Sequence, residues 1–405
     1  MEILFITNSC SSKRYDEICK KRTREMIDPQ QKYFRLLTEG LVCHDDVYVK
    51  VMPVLPLSAS SYPQRVFRHE YEQENGVEYD YVPFYNGRIL RYITLFFSIF
   101  FNVLKWGRNV KDKDDSFLVT DPLMLMAAMP ARIACSLLGI KTCALVTDVP
   151  VYVTYMRKDK KGLRKFISNL YDKIADIDTR KYDSYITLTE SINTWVNRKN
   201  KPYTIVEGVA DINDTTVSSE YNNIIMYAGG VYEMYGVKTL VDSFLRLNMS
   251  DLKLHVYGKG TYVDEINRIN KEYGNVEYMG SLSPAEIVGK EKRALLLVNP
   301  RPCGEEFSKF SFPSKTMEYM LSGTPVVSTK LPGIPSEYFN YIYAFDSDTE
   351  DSIYKKLKEL TLMDRDELRS KGVSAHNFVL ENKNNVKMSE KIIELFKDFE
   401  RNDKI

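Results

Sequence analysis

Short apolar strands alternate with helix-length segments along almost the whole chain, and few architectures accept that order. "EILFITN" (2–8) comes first. It is followed by "DPQQKYFRLLTEGLV" (28–42), where Tyr33, Leu36, Leu37 and Leu41 fall at helical spacing behind Asp28 and Pro29. "DVYVKVMPV" (46–54) returns as a strand, and "SFLVTD" (116–121), "KTCALVTD" (141–148) and "SYITLTE" (184–190) follow, separated by helical stretches that include 122–138 and 161–180. Strands alternating with helices imply a parallel sheet with helices on both faces. Polar and turn residues interrupt the rhythm at 198–223. It restarts with "NIIMYAGG", "LKLHVYGKG", "VEYMGS" and "ALLLVNP", each leading into a helix. A chain of 405 residues is too long for one ordinary core. The expectation is therefore α/β, with two doubly wound domains facing a cleft, at 1–200 and 201–375. A terminal amphipathic helix closes the chain over 376–405.

Charge and composition remove several function classes. Lys and Arg number 56 against 55 Asp and Glu, which argues against nucleic acid as the main partner, because such domains usually carry a clear basic excess. The six cysteines are singletons without Cys-x-x-Cys spacing and read as reduced thiols. "MEILFITN" runs as a strand from the initiator methionine, with no signal peptide, so a cytoplasmic location is expected. The four histidines show no metal-ligand spacing, and no Asp-x-Asp is read at a strand end. "YGKG" is no dinucleotide fingerprint, and no Gly-x-Gly-x-x-Gly follows the first strand, which argues against hydride transfer. "RYITLFFSIFFNVLKWGR" (91–108) is too short to span a bilayer and carries cations at both ends. It reads either as a core helix or as a helix at a membrane surface, with "MRKDKKGLRK" (156–165) adding cations for an anionic leaflet.

In open parallel sheets, ligands sit beyond the carboxyl ends of the strands. There the chain places "NPRPCGEEFSKFSFPSKTMEYM" (299–320), from the end of a strand into a helix. Pro313 and Ser314 suit a helix start, whose unsatisfied N–H groups and dipole receive anions. Lys309 and Lys315 add cations, and Arg301 adds a planar fork at the strand end. Either a diphosphate site or a capped surface helix would explain the helix start alone; Arg301 favours the anion. Glu318, one turn in, suits two adjacent hydroxyls, as on a ribose. Gly323 is the expected C-cap, and Pro325 stops the helix.

"FPSKTMEYMLSGTPVVSTKLPGIPSEY" resembles the C-terminal signature of GT-B fold glycosyltransferases, specifically glycosyltransferase family 4, bacterial capsular and exopolysaccharide members above all. "MYAGGVYEMYGVKTLVDSF" (226–244), "LHVYGKGTYVDEI" (254–266) and "NVEYMGSLSPAEI" (275–287) match in order and spacing. Over 1–200 the similarity is carried by "ILFITN", "LVTDVP" and the overall rhythm.

The resemblance implies two Rossmann-like domains, the last helix crossing back to the first. It also implies a nucleotide diphospho-sugar donor, UDP-sugar favoured, and no metal or other cofactor. The implied activity is retaining hexosyl transfer to a glycan or lipid-linked glycan in surface polysaccharide synthesis, at the inner face of the plasma membrane. Ser314 and Lys315 then hold the diphosphate, with Glu318 on the ribose. Phe310 stands where members carry a second glutamate. Glu305 or Glu306 could replace it only if the loop folds back. Gly230 and Tyr235 stand where members carry Arg and Lys, so Arg301, Lys309, Lys315 and Lys259 become the replacement donors. Gly229 and Gly230 serve close backbone approach, and Ser311 joins the donor side. Asp148 occupies the place of a histidine near the transferred sugar, although a turn cap explains it equally. The loop 8–24 is expected on the acceptor side, with Asn8 and Ser9 near the donor phosphates. Catalytic roles fall to Asp148, Arg301 and Lys315. Two alternatives stand beside this: a GT-B sugar-nucleotide epimerase, and a non-catalytic subunit that binds a partner enzyme.

Overall fold

A computed structural model describes residues 1–23, 29–149, 162–218, 220–304 and 306–402. Two compact units divide the chain, Met1–Val209 with Asn385–Ile405, and Ala210–Asn384.

The first unit contains β1 (Glu2–Ile6), α1 (Ser12–Lys21), α2 (Pro29–Leu41), β2 (Tyr48–Val51), β3 (Val66–Phe67), β4 (Glu70–Glu74), β5 (Val77–Tyr81) and β6 (Phe84–Tyr85). There follow α3 (Leu90–Asn109), β7 (Ser116–Thr120), α4 (Leu125–Leu138), β8 (Lys141–Val146), α5 (Gly162–Thr179), β9 (Ser184–Thr187), α6 (Glu190–Val196) and β10 (Tyr203–Ile205). Its eight-stranded sheet runs β10-β9-β8-β7-β1-β2-β5-β4, parallel except where β4 turns back on β5. The hairpin turns at Asn75 and Gly76, both with positive φ, the pairing that matches the twist of the flanking strands. β1, β7 and β8 are almost wholly apolar because both faces of the sheet are covered.

The second unit contains β11 (Ile224–Ala228), α7 (Val237–Leu245), β12 (Lys253–Tyr257), α8 (Val263–Tyr273), β13 (Val276–Tyr278) and α9 (Pro284–Glu291). It continues with β14 (Leu296–Asn299), α10 (Ser314–Leu321), β15 (Val326–Ser328), β16 (Tyr343–Ala344), α11 (Glu350–Leu362) and α12 (Arg365–Asn382). Its six strands are all parallel, in the order β13-β12-β11-β14-β15-β16. The order reverses beside β11, so the loops after β11 and β14 leave the sheet side by side. That is the switch point at which such sheets bind ligands. The last helix, α13 (Asn385–Asn402), belongs to the first unit, packs along α2, and stacks Phe396 on Phe117 with ring centroids 4.2 Å apart.

Two local expectations change. The segment 8–24 is not mainly a loop, because Ser12–Lys21 is helical behind the cap Ser11, whose Oγ accepts from the Arg14 N–H at 3.1 Å. Its cation Arg14 pairs with Glu70 and lies over the Tyr81 ring rather than standing open to solvent. An Asp-x-Asp does follow a strand: Asp346-Ser347-Asp348 comes after β16, and Asp348 accepts from the Cys303 N–H at 2.9 Å. Among the described residues, no group of three or more His, Cys, Asp and Glu comes together as metal ligands.

Candidate functional site

The candidate residues fall at the carboxyl edges of both sheets. In the second unit, α10 starts with Pro313 as its N-cap and Ser314 as its first helical residue. Ser314 is therefore not the cap, and no side chain caps the helix start; the Thr316 N–H donates to the Pro313 carbonyl at 2.8 Å, which leaves the N–H groups of Ser314 and Lys315 for an anion. The helix is tied to the end of β11 by Tyr319, whose hydroxyl accepts from the Ala228 N–H at 2.8 Å and donates to the Ala228 carbonyl at 3.1 Å. Ser322 closes the helix and Gly323 follows with φ of 75°, the left-handed conformation expected after a helix end.

Lys315 donates to Glu318 at 2.6 Å and stands 3.6 Å from the fully buried Glu291 of α9. Burial works to lower the Lys315 pKa, but the two carboxylates outweigh it and raise it. This lysine stays charged. Glu318 is half-buried and already holds a cation, so it is not a bare surface carboxylate. Glu291 was not visible from the sequence as part of this group, since only the folded α9 brings it there.

Arg301 leaves the end of β14 with its guanidinium over the Tyr235 ring, 5.0 Å from the centroid. Burial draws its pKa down from the ordinary value, with Tyr235 and Tyr227 acting against that. A methyl group on Gly230 would meet the same Tyr235 ring at 2.7 Å. Arg301 thus stands beside positions 230 and 235. Gly229 leaves room for the Tyr227 hydroxyl, which donates to the Gly230 carbonyl at 2.9 Å. Gly258, with φ of 126°, would place a Cβ 1.8 Å from the Gly229 carbonyl oxygen, so the loops after β11 and β12 touch backbone to backbone. Lys259 and Lys309 are exposed, while Phe310 and Ser311 are half-buried in and after the 3₁₀ turn Glu306–Phe310. Glu305 lies outside the described residues, as do residues 156–161 of the cationic stretch. A cavity of about 330 Å³ in this unit sits at the opposite, amino edge, between Asn222, Leu295, Pro325 and Arg369, and none of the candidate residues lines it.

In the first unit, Asn8 and Ser9 follow β1. Asn8 Oδ1 and Ser9 Oγ are buried without a hydrogen-bond partner among the described residues. Asp148 follows β8 and is exposed to water, with surrounding protein pushing its carboxyl up to about 6. Asp121, after β7, is a residue that sequence reasoning missed. It is fully buried, its Oδ1 accepts from the Leu123 N–H at 2.9 Å, and Oδ2 has no partner among the described residues. Burial, with a smaller contribution from Asp148, pushes its pKa up to about 7. The signal was present as a repetition, since "VTDP" after one strand is echoed by "VTDVP" after the next.

Residues 222–361 match the model of the family "Glycosyl transferases group 1". A sequence search among curated proteins found no match. Among solved structures, the catalytic domain of starch synthase IV from Arabidopsis thaliana, bound to ADP and acarbose, is similar with a TM-score of 0.63 at 11% identity. The similarity covers 98% of this chain and 99% of that one. HepE from Anabaena, in complex with UDP-glucose, gives 0.59 at 12% identity, covering 98% and 100%. The lipopolysaccharide outer core galactosyltransferase WaaB gives 0.57 at 14% identity, covering 98% and 99%. Over 222–361 the chain carries a group 1 glycosyltransferase domain, and as a whole it has the GT-B fold of two Rossmann-like domains.

Proposed function

We infer that this chain is a retaining glycosyltransferase of the hexosyl type. It would move a sugar from a nucleotide diphospho-sugar, UDP-sugar favoured, to a hydroxyl of a glycan or lipid-linked glycan in surface polysaccharide synthesis. The observation that carries the reading is the convergence of the uncapped α10 start, the Lys315–Glu318 pair and the Arg301 guanidinium at one sheet edge. Helix N–H groups, a lysine and an arginine fork suit a diphosphate, and a carboxylate one turn further suits the ribose hydroxyls. HepE with UDP-glucose supports the choice of base, and WaaB supports the surface-polysaccharide role.

In this reading, the bond between the anomeric carbon and the diphosphate oxygen breaks, with Arg301 and Lys315 stabilising the charge that develops on the leaving group. The acceptor oxygen forms its bond on the same face, and its proton passes to the departing phosphate. Asp148 stands on the sugar side. No metal enters the scheme. Acceptors anchored in lipid would bring the chain to the inner face of the membrane.

One observation bears on the rival reading, a non-catalytic subunit. Its support is Phe310, Gly230 and Tyr235 at positions where charge is expected, and the placement of Arg301 over Tyr235 answers it in part. Calorimetric titration with UDP, GDP, CDP and ADP, in Mg²⁺ and in EDTA, tests the proposal. UDP is expected to bind most tightly and equally in both. Absence of binding by all four would transfer the weight to the subunit reading.

A further inference from the structure

Two helices of the first unit expose apolar side chains to water: α3, which also buries an apolar side, and α5, whose buried side includes Asp178. On α3, Leu95, Ile99 and Val103 are buried, while Ile93, Phe97 and Phe101 lie on the opposite side, Phe101 with 62% of its surface exposed. On α5, Ala175 and Asp178 face inward, and Phe166, Leu170 and Ile174 face outward, Phe166 at 66%. Exposed apolar patches of this kind mark contact surfaces. The two helices share a neighbour: the Tyr171 hydroxyl of α5 donates at 3.4 Å to the carbonyl of Leu123, in the turn that leads into α4, and α4 packs along α3.

Charge selects the partner. α3 contains no carboxylate, and exposed Arg88, Lys105 and Arg108 border its outward stripe. Lys165 and Lys173 are exposed on α5 and Asp172 is half-buried beside them, whereas Asp176 and Asp178 are held in ion pairs by Arg180 and Arg132. An apolar centre with a cationic border matches an anionic lipid headgroup layer over acyl chains. None of the described helices is long and apolar enough to cross a membrane.

We propose that the outward stripes of α3 and α5 together form the surface on which this chain lies against an anionic bilayer. This rests on the lipid-linked acceptor reading and adds to it α5, whose outward stripe is legible only in the fold. The test is flotation of the full chain with phosphatidylcholine vesicles, with or without phosphatidylglycerol, alongside UDP calorimetry and light scattering. Binding to the anionic vesicles alone is expected. Phe97→Ser with Phe101→Ser, and Phe166→Ser with Leu170→Ser, are each expected to lower it about tenfold or more, leaving thermal unfolding and UDP binding unchanged. Lack of flotation with either vesicle overturns the proposal. So does a dimer in solution that the same substitutions dissociate, because the face would then belong to a second copy. The UDP arm is independent: an unaltered chain that binds UDP but not the anionic vesicles refutes this surface alone, and one that binds the vesicles but not UDP refutes the donor site alone.

Discussion

Arg301→Ala is the substitution that most directly separates a diphosphate site from a merely basic loop. In the free protein the guanidinium is already half-buried over Tyr235, with its pKa drawn down by burial. Folding has therefore met the cost of partly dehydrating this charge, and a bound phosphate collects the interaction with little further reorganisation. A hydrogen bond to a charged group contributes about 1.5–3 kcal/mol, so truncation is expected to weaken UDP binding roughly 10- to 150-fold. The lost contact with Tyr235, about 1 kcal/mol, affects free and bound protein alike and should appear in the unfolding midpoint rather than in Kd. Arg301→Lys keeps the charge without the fork, and roughly three- to tenfold weakening is expected. The assay is calorimetry at two salt concentrations, with circular dichroism as a check on folding. A Kd within twofold of wild type for a folded Arg301→Ala protein would refute the assignment of Arg301 to the donor.

Glu318→Gln should weaken UDP at least about tenfold and leave inorganic pyrophosphate binding unaffected or tighter, since Lys315 loses a competing partner; equal losses for both ligands would remove Glu318 from the ribose. Asp121 has a folded pKa of about 7, above the ordinary 3.8. Its stabilising contribution is therefore full below about pH 4 and is lost as pH rises through 7. Asp121→Asn should accordingly gain stability relative to wild type between pH 5 and pH 8 in urea melts; a difference independent of pH would contradict the buried, protonated carboxyl. Arg132 donates to Asp178 at 2.6 and 3.1 Å with both side chains buried, so Asp178→Ala should cost about 3–5 kcal/mol, and Asp178→Leu with Arg132→Met should recover most of it. A loss below about 1 kcal/mol for the single substitution would mean that water reaches the pair.

Much of this protein is written locally. Strands β1, β7, β8, β11 and β14 each centre on a run of at least three apolar residues because both faces of each sheet are covered, and the α10 start is marked by Pro313 and its end by Gly323. These depend on side-chain chemistry within a few residues, which the order of amino acids states directly. The Asn75–Gly76 hairpin was equally local and went unread beside the stronger parallel rhythm. The residues that give the site its character are another matter. Arg301 meets Tyr235 across 66 residues of chain, Glu291 reaches Lys315 from α9, and Asp121 becomes an elevated acid only once the sheet and helices close over it. The outward faces of α3 and α5 are equally undetermined by composition, since an apolar helix reads the same whether its second side is enclosed or left to water. Pairing and burial are properties of distant segments brought together. The sequence alone therefore determined the elements and the position of the helix start, and tertiary structure decided which charges surround it.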